Sequence, residues 1–405
     1  MSSAVQRKSV GLLVLLLGAA VFLNYVDRGA IGIAAPLMKS ELRLSDEAYG
    51  LAFSAFFWIY APVQFFAGWL CDRFSVYKLM AVGILLWAGS TLLMGFAGGF
   101  ASLLVLRIML GVGESISFPG SSKIIARHVP PENRGMANAA LATGIALGPA
   151  AGTLAGGLIL GHWGWRAIFL VFGVVTLLWL LPWRGAVRAL PTSGDRDGGA
   201  RVPVGALLSK WPLWSMSIVH ALGNYCFYVL LAWLPLFLTK ARGFSIGEMT
   251  FLATLGYAVQ GVCALSYGRF SDWWTRSGRS EAAFRRVTMI VSQALAAVAI
   301  FGLVFAQSAL LVAILLCLAG MASAAISLNV YAIAQMFAGP RAAGTWVGVQ
   351  NSIGNLSGIV GPVVIGMVVQ RAGYDAAFVL TAAIAAFGVL WWLFAVPPIR
   401  QVELD

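Results

Sequence analysis

Apolar runs long enough to cross a bilayer recur along almost the whole chain, and this leaves very few folds open. In hydrocarbon every backbone N–H and C=O must be satisfied internally, so only helices and closed barrels span a membrane. A spanning helix needs about 20 apolar residues and a barrel strand about half that. The runs here have the helical length. Twelve are found, at 10–34, 49–71, 78–98, 101–123, 137–160, 166–184, 212–238, 248–270, 285–306, 309–336, 343–369 and 374–396. The expected fold is an all-α membrane protein with twelve transmembrane helices. Only 10% of the residues are charged, against about 25% in a soluble domain, so a soluble enzyme is excluded. Arg7 and Lys8 precede the first run with no small-residue cleavage site after it. That run reads as a retained helix, not a signal peptide.

The net charge of +12 does not point to nucleic acid, because the basic residues follow a membrane pattern. With twelve spans, nineteen of the 27 Lys and Arg residues fall on the side of the N-terminus and six on the other. The remaining two are Arg28 and Arg107, inside spans. Basic residues concentrate in cytoplasmic loops, so both termini are expected in the cytoplasm. The protein reads as a multi-pass component of the cytoplasmic (inner) membrane. Cys71, Cys226, Cys263 and Cys317 show neither metal-ligand nor secreted-disulfide spacing. Trp163, Trp165, Trp211, Trp391 and Trp392 sit near span ends, where an interfacial aromatic belt is expected.

The longest polar interruption, 185–211, contains Pro191, Ser193, Gly194, Asp195, Asp197, Gly198 and Gly199 and reads as a flexible linker. It divides the chain into a six-helix half at 1–184 and another at 212–405. The halves echo each other. Asn24-Tyr25 recurs as Asn224-Tyr225, and Gly68-x-x-x-Asp72 as Gly268-x-x-x-Asp272. Gly164-Trp165-Arg166-Ala167-Ile168-Phe169 is matched at an offset of 209 by Gly373-Tyr374-Asp375-Ala376-Ala377-Phe378. A duplicated bundle of this kind places a substrate site near the membrane midplane at the repeat interface and works by rocking one half against the other.

Four charged residues interrupt the apolar spans: Asp27 and Arg28 in the first, Arg107 and Glu114 in the fourth. A charge at the bilayer centre costs at least ~2.5 kcal/mol and is a functional-site candidate by default. Arg107 and Glu114 are two helical turns apart and share a face, about 10 Å apart along the axis. Asp27 and Arg28, being neighbours, diverge by about 100°, so one can face a cavity and the other a neighbouring helix. Arginine stays protonated and matches a carboxylate with a planar fork, so either Arg28 or Arg107 can clamp an anion. A carboxylic acid in a low-dielectric site is easier to protonate than one in water. Protonating an acid that pairs with an arginine would free that arginine for a substrate anion. The competing structural reading is a pair of static salt bridges between helices 1 and 4. Tyr25, Asn224, Tyr225, Gln260, Asn351 and Asn355 are candidate polar groups of the same cavity, or interhelical hydrogen-bonding residues. No metal-ligand spacing is present and no cofactor is expected besides the proton as coupling ion.

Gly68-x-x-x-Asp72-Arg73, between helices 2 and 3, resembles the signature of the major facilitator superfamily, and Gly268-x-x-x-Asp272 resembles its degenerate second copy. Ser75 and Tyr77 depart from the usual glycine and basic residue. The resemblance implies a cytoplasmic gating latch built on Gly68, Asp72, Arg73 and Asp272. Within the superfamily the chain resembles the anion:cation symporters. The matching residues are Asn24-Tyr25-Val26-Asp27-Arg28, Arg107, Gly111-Val112-Gly113-Glu114, Phe118-Pro119, Trp233-Leu234-Pro235 and Gln350-Asn351-Ser352-Ile353-Gly354-Asn355. That family includes hexonate and hexuronate transporters, sialin and the vesicular glutamate transporters.

The resemblance implies that Asp27 and Glu114 carry protons, that Arg28 and Arg107 surround an anionic substrate, and that one chain works alone. The expected function is proton-coupled symport of a small organic anion, such as a sugar acid, by alternating access. Ile145, where sugar-acid transporters are expected to carry a glutamine, points to a less hydroxylated substrate. A Spinster-like lipid or lysolipid transporter and proton-driven efflux of an amphiphile, such as a drug or siderophore, are the alternatives.

Overall fold

The computed structural model describes residues 3–129, 134–188 and 204–403. Among them the elements are helices: α1 (Ser3–Glu41), α2 (Asp46–Arg73), α3 (Val76–Met94), α4 (Phe100–Glu114), α5 (Ser117–His128), α6 (Arg134–Leu178), α7 (Leu180–Arg188), α8 (Val204–Leu208), α9 (Trp211–Leu236) with a π-turn at Phe237–Ala241, α10 (Ile246–Arg276), α11 (Glu281–Leu303), α12 (Ala309–Asn355) and α13 (Ser357–Phe394). Most of the proposed linker, 189–203, lies outside the described residues.

Nine stretches of described residues are long and apolar enough to cross a bilayer. Two of them, Thr143–Arg188 and Trp346–Phe394, have 46 and 49 residues. As straight helices they would be about 70 Å long, more than twice the hydrocarbon thickness. Each contains one glycine with non-helical backbone, Gly164 or Gly373, and each accounts for two crossings. With α2, of 28 residues, the total is the twelve expected from hydropathy.

Local sequence explains the breaks that matter. Pro119 has no N–H to offer and its ring crowds the carbonyl four residues back, so the helix cannot run straight through Ser115. The fourth crossing is therefore split into α4 and α5, and Glu114 becomes the last residue of α4. The Ser45 hydroxyl caps α2 by accepting from Ala48 N, with Asp46 and Glu47 in the first turn. Ser245 and Glu248 form the reciprocal box at the start of α10, bonding each other's backbone N–H at 2.8 and 3.2 Å.

The chain forms two compact units, Met1–Asp197 with Ser245–Thr250, and Gly198–Phe244 with Phe251–Asp405. In the first, α1 packs along α6, and α3 bridges α4 and α6, with α2 against α4. In the second, α9 packs on α12 and α13, as does α11. The internal repeat shows in two close approaches of helix to helix backbone. A Cβ on Gly111 of α4 would lie 2.3 Å from the Phe56 carbonyl of α2, and one on Gly320 of α12 would lie 2.3 Å from the Gly256 carbonyl of α10. The aromatic belt is only partly present. Trp163 and Trp211 are exposed, whereas Trp165 and Trp392 are buried. Trp165 turns inward because its indole N–H finds an acceptor, Glu41 Oε2, at 2.6 Å.

Candidate functional site

All four charges inside the spans belong to the first unit, and each is at most 4% exposed. Arg28 Nε donates to Glu114 Oε2 at 2.9 Å, and Asn24 lies against the same carboxylate. The Arg28 guanidinium is lined by rings: Tyr25 at 4.9 Å, Phe56 at 5.1 Å and Tyr60 at 4.6 Å. These rings converge because Tyr25 and Arg28 are one turn apart on α1, and Phe56 and Tyr60 one turn apart on α2. Phe56 and Tyr60 stack at 4.8 Å.

Arg107 does not join this pair. Its side chain donates to the Phe53 carbonyl at 2.8 Å and to the Ala52 carbonyl at 3.3 Å, with the Phe53 and Phe56 rings at 5.1 and 5.2 Å. Arg107 and Glu114 thus leave α4 toward different helices, α2 and α1. Gly111 and Gly113, between them in sequence, let α4 press directly on the backbones of α2 and α3. Asp27 also has its own surroundings. Its Oδ2 accepts from Trp87 Nε1 at 2.6 Å and from Thr176 Oγ1 at 3.3 Å, on α3 and α6. The divergence of neighbouring Asp27 and Arg28 is therefore realised, with the acid turned to α3 and α6 and the base to α4.

The candidates of the second unit are neutral. Asn355 Oδ1 accepts from Tyr228 at 2.6 Å, and its Nδ2 donates to the Asn351 carbonyl at 2.9 Å. Asn351 Oδ1 accepts from Tyr331 at 3.1 Å. Tyr225 is buried beneath Gly361, Gln260 is buried, and Asn224 is half-buried. The side chains proposed for gating, Gly68, Asp72, Arg73 and Asp272, lie outside the described residues.

Phe56, Tyr60, Trp87, Thr176, Tyr228 and Tyr331 escaped the reading of the sequence. Only Trp87 had a signal, an indole donor in mid-span rather than at an interface, where tryptophan is usual.

Two helical units that together cross the membrane twelve times, with an ion pair and two further charges buried in mid-span, define a membrane transporter. The sequence pattern of the Major Facilitator Superfamily matches residues 17–280 and 277–404. The chain belongs to that superfamily and is a transporter, not an enzyme. It is similar to the "Probable sulfoacetate transporter" of Cupriavidus necator, 31% identical over 93% of this chain and 91% of that protein. It is also similar to the "Probable galactarate/D-glucarate transporter" of Bacillus subtilis, 29% identical over 97% and 93% of the two chains. Among solved structures, a bacterial homolog of the human lysosomal transporter Spinster, inward-facing and occupied, superposes with a TM-score of 0.79 at 21% identity, covering 95% of this chain and 96% of that one. At that identity the likeness establishes the fold alone.

Proposed function

We propose that the chain is a proton-coupled symporter of a small organic anion, a carboxylate or sulfonate, working by alternating access in a bacterial cytoplasmic membrane with both termini inside. The halves would be 1–184 and 212–405, joined by 185–211, and one chain would suffice. The relatives named above, whose names denote transporters of organic acids, support the anion. The observation that carries the reading is the buried Arg28–Glu114 pair at 2.9 Å.

Inside a low-dielectric bundle an arginine needs a counter-charge or a set of carbonyl acceptors, and Arg28 is paired with a counter-charge. While Glu114 is ionised it supplies one. When Glu114 takes a proton, Arg28 is left to attract another anion, and its planar fork suits a carboxylate or sulfonate. Anion and proton then travel together, and a bound pair leaves the charge of the site unchanged. Asp27, held by Trp87 and Thr176 rather than by an arginine, would carry a proton without directly releasing a cation. Arg107, tied to α2, would act on the anion through the shape and charge of the site.

The test is uptake into proteoliposomes under an inward proton gradient, using sugar acids, aromatic acids, sulfonates and dicarboxylates, with Glu114→Gln and Asp27→Asn beside wild type. Gradient-stimulated uptake that Glu114→Gln abolishes while counterflow exchange survives is the expected result. Absence of any gradient-dependent anion uptake by folded protein would sink the proposal. In that event lysophospholipid uptake is tested next, because the polar residues buried in mid-span in the second unit include no Lys, Arg, Asp or Glu among those described, as suits an amphiphile.

A further inference from the structure

Phe56 is shared by the two buried arginines. Its ring centre lies 5.1 Å from the Arg28 guanidinium and 5.2 Å from that of Arg107. The ring is 1% exposed, stacks on Tyr60 at 4.8 Å and meets Phe57 edge-on at 4.7 Å. The backbone behind it is fixed as well, because α4 closes on the Phe56 carbonyl at Gly111. Phe56 is thus a rigid wall with no hydrogen-bonding atom, standing against two cations that have different partners. Arg28 faces an acid. Arg107 is held by two carbonyl oxygens of α2.

An anionic group that takes the place of the Glu114 carboxylate on Arg28 therefore meets one guanidinium. A second anionic group on the same molecule, reaching toward Arg107, meets the Phe56 ring. The face of an aromatic ring is electron-rich, attractive to a cation and repulsive to an anion. Resting on the anion-transport reading above, we propose that Phe56 sets the charge of the substrate: it reserves Arg107 for the fold, leaves Arg28 to the transported molecule, and makes the site prefer a singly charged anion over a doubly charged one of similar skeleton. Phe56 acts here as a positioning residue, through the two arginines it separates from a common ligand.

The test uses purified full-length protein and two matched pairs of probes, D-gluconate against D-glucarate and methanesulfonate against sulfoacetate, titrated at neutral pH by tryptophan fluorescence. In wild type the monoanion of the tighter pair should bind at least about tenfold better than its dianion, the scale of one charge left uncompensated in a buried site. Phe56→Leu and Phe56→Met, which keep an apolar side chain but remove the ring, should narrow that ratio by about threefold or more as Arg107 is uncovered. A ratio taken within one variant is not moved by a loss of folded protein, whereas a purely structural role would leave it unchanged. Equal or tighter binding of the dianion in wild type overturns the proposal, as does an unchanged ratio in both variants. Binding of none of these probes or of the wider uptake panel removes the anion reading and this inference together. A preference for dianions removes this inference alone.

Discussion

Gly164 and Gly373, 209 positions apart, hold the same backbone conformation, with φ +78° and ψ 177° at one and φ +84° and ψ 174° at the other. This region of backbone space is essentially reserved for glycine. Each residue breaks a continuous run of helix between two crossings, at the position where the sequence repeats. A Cβ would meet nothing within 4 Å at either site, so the constraint is backbone strain and not crowding.

Gly164→Ala and Gly373→Ala should each cost roughly 1–3 kcal/mol and lower the detergent melting temperature by similar amounts. Gly161→Ala is the control. It also meets no atom within 4 Å but lies in helix, where alanine is favoured over glycine. Equal melting of Gly161→Ala and Gly164→Ala would remove the strain argument.

The Arg28–Glu114 pair predicts a non-additive pattern of stability. Removing either partner strands the other in a buried site, at a cost of about 3–5 kcal/mol. Removing both exchanges the pair for neutral groups. Arg28→Gln and Glu114→Gln should therefore each melt well below wild type, and the double variant should melt above at least one of them. Additive losses in this double-mutant cycle would mean that the two side chains do not depend on each other.

Tyr77 departs from the superfamily pattern by replacing a basic residue, and its hydroxyl is hydrogen-bonded to Nε2 of His128 at the end of α5. Burial, and then the Arg127 charge, hold the His128 imidazole below its ordinary value of 6.5. The fold therefore favours the neutral ring. Below pH 6.5 the unfolded chain binds the proton more readily than the folded one, so this contribution is complete above 6.5 and is lost as pH falls toward the depressed value. Wild type should lose more melting temperature than His128→Gln between pH 7.5 and 5.5, windows set by that value. Parallel pH profiles for the two proteins would contradict this.

Hydropathy made the twelve crossings legible, because a span must be continuous and apolar whatever it packs against. The four buried charges were legible for the same reason, since a charge stands out in such a run. Their partners were not. Arg28 reaches 86 residues along the chain to Glu114, and Arg107 goes to backbone carbonyls that no sequence signal marks. Phe56, Tyr60 and Thr176 look like packing or lipid-facing residues, because in a membrane bundle both the interior and the surroundings are apolar. The helical periodicity that separates core from surface in a soluble protein is weak here. The repeat was read from short matches, yet the meaning of one of them in the backbone, the two glycine-only breaks at Gly164 and Gly373, needed φ and ψ angles.

The two units also contain matching corners with opposite charges. In the first, Arg166 pairs with Glu41 at 2.9 Å and donates to the Ala97 carbonyl at 3.2 Å. In the second, Arg242 pairs with Asp375 at 2.6 Å and donates to the Val304 and Leu303 carbonyls at 2.6 and 3.3 Å. Each arginine also covers an aromatic ring, Trp165 at 4.3 Å and Phe237 at 4.5 Å. The arginine therefore comes from the start of the sixth crossing in one unit and from the end of the seventh in the other. The Arg242 side chain is 5% exposed and that of Asp375 is 54% exposed. An exposed carboxylate in an ion pair is worth about 0–1 kcal/mol. A nearly buried arginine that serves two carbonyls contributes more, since its loss leaves acceptors unsatisfied at about 1–3 kcal/mol. Asp375→Asn should leave the melting temperature almost unchanged, and Arg242→Gln should lower it clearly. If Asp375→Asn is the more damaging of the two, the corner is held by the ion pair and not by the carbonyl contacts.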